Sequence, residues 1–213
     1  MKKIWFVLFI LLFNCCEDQI SDSDLDLSDQ TIPDSIIIKS NDFIISYVGE
    51  EFFNAYISFD SAYYYDAVSF YIENPNNCLP FLQHPHYLMV YNFIIPEKSY
   101  VDEIIEFVVD TTGMVVPDRE PFGIPTCPNN SCMGQFPLID EEEAIQIAHD
   151  AGLEDGIEEW KTSFTYSAGE IDDYIWSISN TLYMDDNTSS GRIVIINSHN
   201  GDVIDILNWV IMP

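Results

Sequence analysis

Gly191–Trp209 reads GRIVIINSHNGDVIDILNW. An apolar run rich in isoleucine and valine enters a polar turn closed by Asn200-Gly201, and a second apolar run leaves it. β-Branched residues on both sides of an Asn-Gly step predict a β-hairpin. The same design stands once earlier, at Ile104–Val116, IIEFVVDTTGMVV, where the turn is Asp110-Thr111-Thr112-Gly113. Two copies of one hairpin predict two copies of one domain.

The residues before the second hairpin supply what it needs to pack. From Pro137 the chain reads PLIDEEEAIQIAHDAG. Asp140 followed by Glu143 is a capping-box pattern, and Ile139 is placed to staple against the first turn. Ala144, Ile145, Ala148 and Ala151 give one apolar helix face, and Gly152 is suited to end it. A helix of about three turns is marginal alone and needs a sheet to cover. Four strand candidates follow: Ile157–Tyr166, Tyr174–Met184, Arg192–Asn197 and Val203–Ile211. Ala168-Gly169-Glu170, Asp185-Asp186-Asn187 and Asn200-Gly201 break the chain between them. One helix followed by consecutive antiparallel strands is an α+β layer.

The first copy is legible by landmarks. Glu50, Tyr87 and Gly113 are spaced almost as Glu142, Tyr174 and Gly201 are. The first-copy helix is expected over Gly49–Asp60, GEEFFNAYISFD, with Phe52, Phe53, Tyr56 and Phe59 as its apolar face. Tyr87–Tyr91 then matches the strand at Tyr174–Ile178. Ile36–Val48, just before, reads either as an extra strand or as a longer helix. The expected fold class is therefore α+β, with two tandem repeats, each a helix packed on an antiparallel sheet of three to four strands. Their bounds are 36–117 and 137–213. Residues 118–136 between them are rich in proline and read as a linker or ordered loop.

Here the sequence resembles a known family. DEEEAIQIAHDAG, YIWSIS and GRIVIINSHNGDVID are similar to the PepSY pattern. That pattern has a Glu-Glu-Ala-Ile-x-x-Ala helix, a strand opening on tyrosine, and a closing hairpin whose turn runs from Asp to Gly. Asp110 and Gly113 keep the turn positions in the first copy; the second has Asn197 and Gly201. Asparagine keeps the oxygen that bonds turn backbone but not the charge, which favours a structural role for the position over metal binding. The resemblance implies a protease-inhibitory or protease-modulating role, because related modules occur in propeptides of secreted thermolysin-like metallopeptidases.

The N-terminus carries an address. Lys2-Lys3, an apolar run from Ile4 to Phe13 and Cys15-Cys16 make residues 1–14 a secretory signal, since a spanning helix needs about 20 apolar residues. Leu12-Phe13-Asn14-Cys15 resembles a bacterial lipobox, so Cys15 is the expected lipid acceptor and Cys16 the alternative. The expected location is the cell envelope, anchored by lipid alone to the outer membrane, on its periplasmic face or the cell surface. Residues 15–35 are acidic, serine-rich and free of aromatics, and read as a solvated tether.

Charge and motifs narrow the function classes. The 213 residues carry 36 acidic against 7 basic side chains, a net charge of −29, which repels nucleic acid. An apolar fraction of 47% is ample for a packed core. Cys127 and Cys132 are candidates for a local disulfide in an exported chain. Cys78 is then either a buried free thiol or a competing partner for one of them. His84-Pro85-His86 reads as a solvated loop, and His149 suits the C-terminal end of its helix. No nucleophile elbow, glycine-rich phosphate loop or His-Glu-x-x-His pattern is present. No catalytic residue, metal or cofactor is expected, and the chain is expected to act by binding. A secreted or envelope peptidase is the expected partner; a structural or adhesive surface module is the alternative.

Overall fold

The computed structural model describes residues 32–66, 85–117, 119–169, 171–185 and 187–212. Cys15, Cys16, Cys78, His84, the expected signal and most of the tether lie outside them. Ile36–Val48 belongs to a helix, α1 (Asp34–Val48), whose buried residues Ile36, Ser40, Ile44 and Val48 recur every fourth position. Gly49 separates it from α2 (Glu50–Tyr56): its N–H donates to the Ile45 carbonyl, and its own carbonyl accepts the Phe53 N–H.

α2 ends earlier than the sequence suggests. The backbone is already extended at Ile57, and β1 (Ile57–Tyr65) follows directly. Phe59 is therefore a strand residue, not part of the helix face. The reason is local: ISFDSAYYY is rich in β-branched and aromatic residues, which lose rotamer freedom in a helix and pack well on a pleated sheet. β2 (His86–Ile94) and β3 (Asp102–Asp110) complete an antiparallel sheet of order β1-β2-β3. The expected return strand after Gly113 is reduced to a single bridge, Val115 to Val109. Pro117 cannot donate to a ladder, and the chain turns away.

The second sheet follows α3 (Glu141–Asp150) and has the order β4-β5-β6-β7. Its strands are β4 (Lys161–Ser167), β5 (Asp173–Met184), β6 (Ser189–Asn197) and β7 (Val203–Ile211). β4 begins later than expected, and Ile157 is an exposed loop residue. The Asp140 carboxylate accepts the Glu143 N–H at 2.9 Å and caps α3, while the N–H groups of Gly152 and Leu153 close its other end.

A single hydrophobic core joins the two sheets. Residues 119–136 are ordered and contribute to it: Ile124, Cys132 and Phe136 are buried, and Phe122 bridges Glu106 on β3. Phe136 contacts Phe93 of the first sheet at 5.6 Å between ring centroids and Tyr174 of the second at 5.2 Å. Tyr100 lies 4.7 Å from Trp176, and the Tyr174 hydroxyl donates to the Gly123 carbonyl at 2.7 Å. Aromatic packing of this kind adds specific geometry to area burial.

Candidate functional site

The two expected turns are built alike. The Asp110 carboxylate accepts from the Thr112 N–H at 2.8 Å, the Met114 N–H at 2.9 Å and the Thr112 hydroxyl at 2.7 Å. The Asn197 side-chain oxygen accepts from the His199 N–H at 2.8 Å and the Asn200 N–H at 3.2 Å. Gly113 and Gly201 take φ of 82° and 75°, a left-handed conformation that glycine adopts at little cost. Each turn contacts a helix, but in the first half that helix is α1 and not α2, the one expected to match α3. Lys39 of α1 donates to the Thr112 carbonyl, and the Ser198 carbonyl accepts the Ile139 N–H at the entrance to α3.

These contacts fix the role of Asp110. Burial pushes its carboxyl upward, but the Thr112 hydroxyl, the Met114 and Thr112 N–H groups and Lys39 outweigh that and hold it below its ordinary value of 3.8. A depressed carboxyl pKa stabilises the fold above the unfolded value, and that stabilisation is lost as pH falls through the folded one. Asp110→Ala is expected to lower stability at neutral pH by about 1 kcal/mol, a figure reduced for solvent screening. The cost should shrink below pH 3.8 in urea titrations. Asp110→Asn should cost less, since Asn197 makes the same kind of turn uncharged.

Other expected positions are placed as follows. Cys127 and Cys132 are joined as a disulfide with a Cα–Cα separation of 5.2 Å. His86 is buried at 4% exposure and stacks on Tyr65, which corrects the expectation of a solvated loop. It opens β2, and the strand carries it into the sheet. His149 sits in the last turn of α3, beside Asp150 at 3.5 Å. Among the described residues, no three His, Cys, Asp or Glu side chains are grouped to hold a metal ion. An open groove of about 620 Å³ lies between α3 and the 155–160 loop, lined by Ile145, His149, Asp155, Glu158 and Trp160. Tyr166 donates to Asp172, and burial pushes Glu103 upward while a hydrogen bond from Thr165 opposes it.

The surface that stands out is β7. It pairs with β6 on one side, and among the described residues no strand pairs its other side. Alternate side chains of a strand point to opposite faces. Ile206 shares the face of buried Val194, and Leu207 lies on the opposite face beside Ile193. Both are exposed, as are Val203, Ile204, Val210 and Ile211, the last at 64%. Exposed Tyr183 and Met184 on β5 extend this apolar end through Ser189 and Ser190. Apolar residues on both faces of an edge strand leave an open template for pairing.

The other edges are managed. β3 is covered by Val115 and Phe122, β1 carries Asp60 and a bulge between Phe59 and Ser61, and β4 is polar with Lys161 at its start. β7 has one charge, Asp205, and an irregularity only near its start. The sequence places this strand correctly but does not say which edge of its sheet is exposed. No family model matches the chain, and no curated protein matches it.

Proposed function

We propose that this chain is a non-catalytic, lipid-anchored envelope protein of two PepSY-like copies that binds and inhibits a secreted or periplasmic protease. The observation that carries the reading is the β7 edge, long, apolar on both faces and, among the described residues, unpaired on its outer side. Main-chain hydrogen bonds from such an edge can hold an extended segment of a partner by strand addition. The tandem reading is supported by the order of elements. A helix, three strands and a glycine turn follow in each half, although the first half has two helices and its turn contacts α1 and not α2. The halves then differ: the first return strand is one bridge, the second is β7.

The test is inhibition. Purified mature protein without residues 1–14 is expected to slow at least one secreted protease of its host at micromolar concentration. No slowing across a panel of those proteases would overturn the inhibitory reading and leave the structural or adhesive one.

A further inference from the structure

We propose that the open edge of β7 takes one extended, basic segment of a partner protein as an added antiparallel strand. This deepens the reading above and rests on its premise that the chain acts by binding a protein. Two observations define the occupant. The edge offers apolar side chains on both faces from Ile206 to Ile211, so the added strand places apolar residues on both faces in turn. The charge is one-sided: Asp205, whose carboxylate accepts the Ile206 N–H at 2.7 Å, is the one acidic or basic side chain of β7, Asp202 stands exposed just before it, and the whole chain carries −29.

The nearest cation on the neighbouring strand does not neutralise them. Arg192 of β6 lies opposite Asn208, and its guanidinium donates to the Gly152 carbonyl at 3.2 Å. A Lys or Arg facing Asp205 sits well inside the screening length of about 8 Å, so physiological salt does not erase the attraction. A second copy is disfavoured by the same arithmetic, because each brings a charge of −29 to the contact. An acidic segment is disfavoured likewise. Strand addition supplies the affinity, and the charge selects the partner.

The experiment uses the purified chain and two nine-residue probe peptides built on a Val-Val-Thr-Thr repeat, which puts Val on both faces, one carrying two Lys and the other two Glu at the same positions. The readouts are amide hydrogen exchange and sedimentation. The Lys peptide is expected to slow exchange within Val203–Ile211 and to bind about tenfold more tightly than the Glu peptide. Leu207→Lys, at an exposed position, should abolish that protection while circular dichroism stays unchanged. Equal binding of both peptides, protection confined to other segments, or pairing of two chains through β7 would each overturn the proposal. The two readings fail separately. Protease inhibition that survives Leu207→Lys sinks the edge and leaves inhibition standing. Capture of the Lys peptide at β7 with no protease slowed does the reverse.

Discussion

Tyr174→Ala is expected to remove about 3–5 kcal/mol of stability and to melt both sheets in one step. Tyr174 is fully buried in the second sheet, yet its neighbours come from three parts of the chain. Its ring lies 6.0 Å from Phe93 of the first sheet, 5.2 Å from Phe136 of the connecting segment and 5.2 Å from Phe164 of β4. Its hydroxyl donates to Gly123, also in the connecting segment. Truncation leaves a cavity shared by all three, and walls drawn from two sheets collapse poorly. A domain of this size holds on the order of 5–15 kcal/mol in total, so the loss is a large fraction of it.

Two measurements check this result. Urea titration gives the size of the loss, and hydrogen exchange at Met89–Phe93 against Trp176–Ile178 gives its extent. Both segments should lose protection at the same urea concentration. Loss confined to Trp176–Ile178 would show the two sheets to be independent and the shared core to be a contact of little energy. Tyr174→Phe separates ring from hydroxyl. It keeps the ring contacts, leaves the Gly123 carbonyl without its donor, and should cost about 1–2 kcal/mol.

The shared core also explains what the sequence made legible. Periodicity and turn chemistry are local, and they located α3, β2, β5, β6 and β7. The Asp110 and Asn197 turns were readable because a side-chain oxygen and a glycine do their work within a few residues. Boundaries failed where two preferences competed. Phe59 fits a helical face with Tyr56 of α2, but ISFDSAYYY favours a strand from Ile57 on, and pairing with β2 decides it. The role of residues 119–136 was hidden for a different reason. Proline and glycine content marks a loop, but says nothing of Phe136 reaching both sheets or Phe122 closing the β3 edge. The candidate site was invisible in the same way. VIDILNWVI reads as a strand, and the strand order is what shows that, among the described residues, none pairs its second edge.

Gly191→Ala carries the second large effect, and its sign is diagnostic. Glycine inside a strand normally weakens it, so alanine there ordinarily gains about 0.5–1 kcal/mol. Gly191 is different. A methyl group on it would run into the Asn180 carbonyl oxygen of β5 and come within 2.7 Å of the Trp209 ring of β7. The ring can tilt away; the carbonyl cannot. Asn180 is buried and held on both sides of its side chain, which donates to the Glu154 carbonyl at 2.6 Å and accepts the Arg192 N–H at 2.8 Å. The strands must part at the β5–β6 contact, at an expected net cost of about 2 kcal/mol. Trp209→Leu in the same chain tests the division. It removes the ring but leaves the carbonyl, so the double variant should recover less than half of the loss in urea titration. Full recovery would place the strain in the Trp209 ring alone, and a gain in stability from Gly191→Ala would mean that β5 and β6 do not approach each other as closely as this register requires.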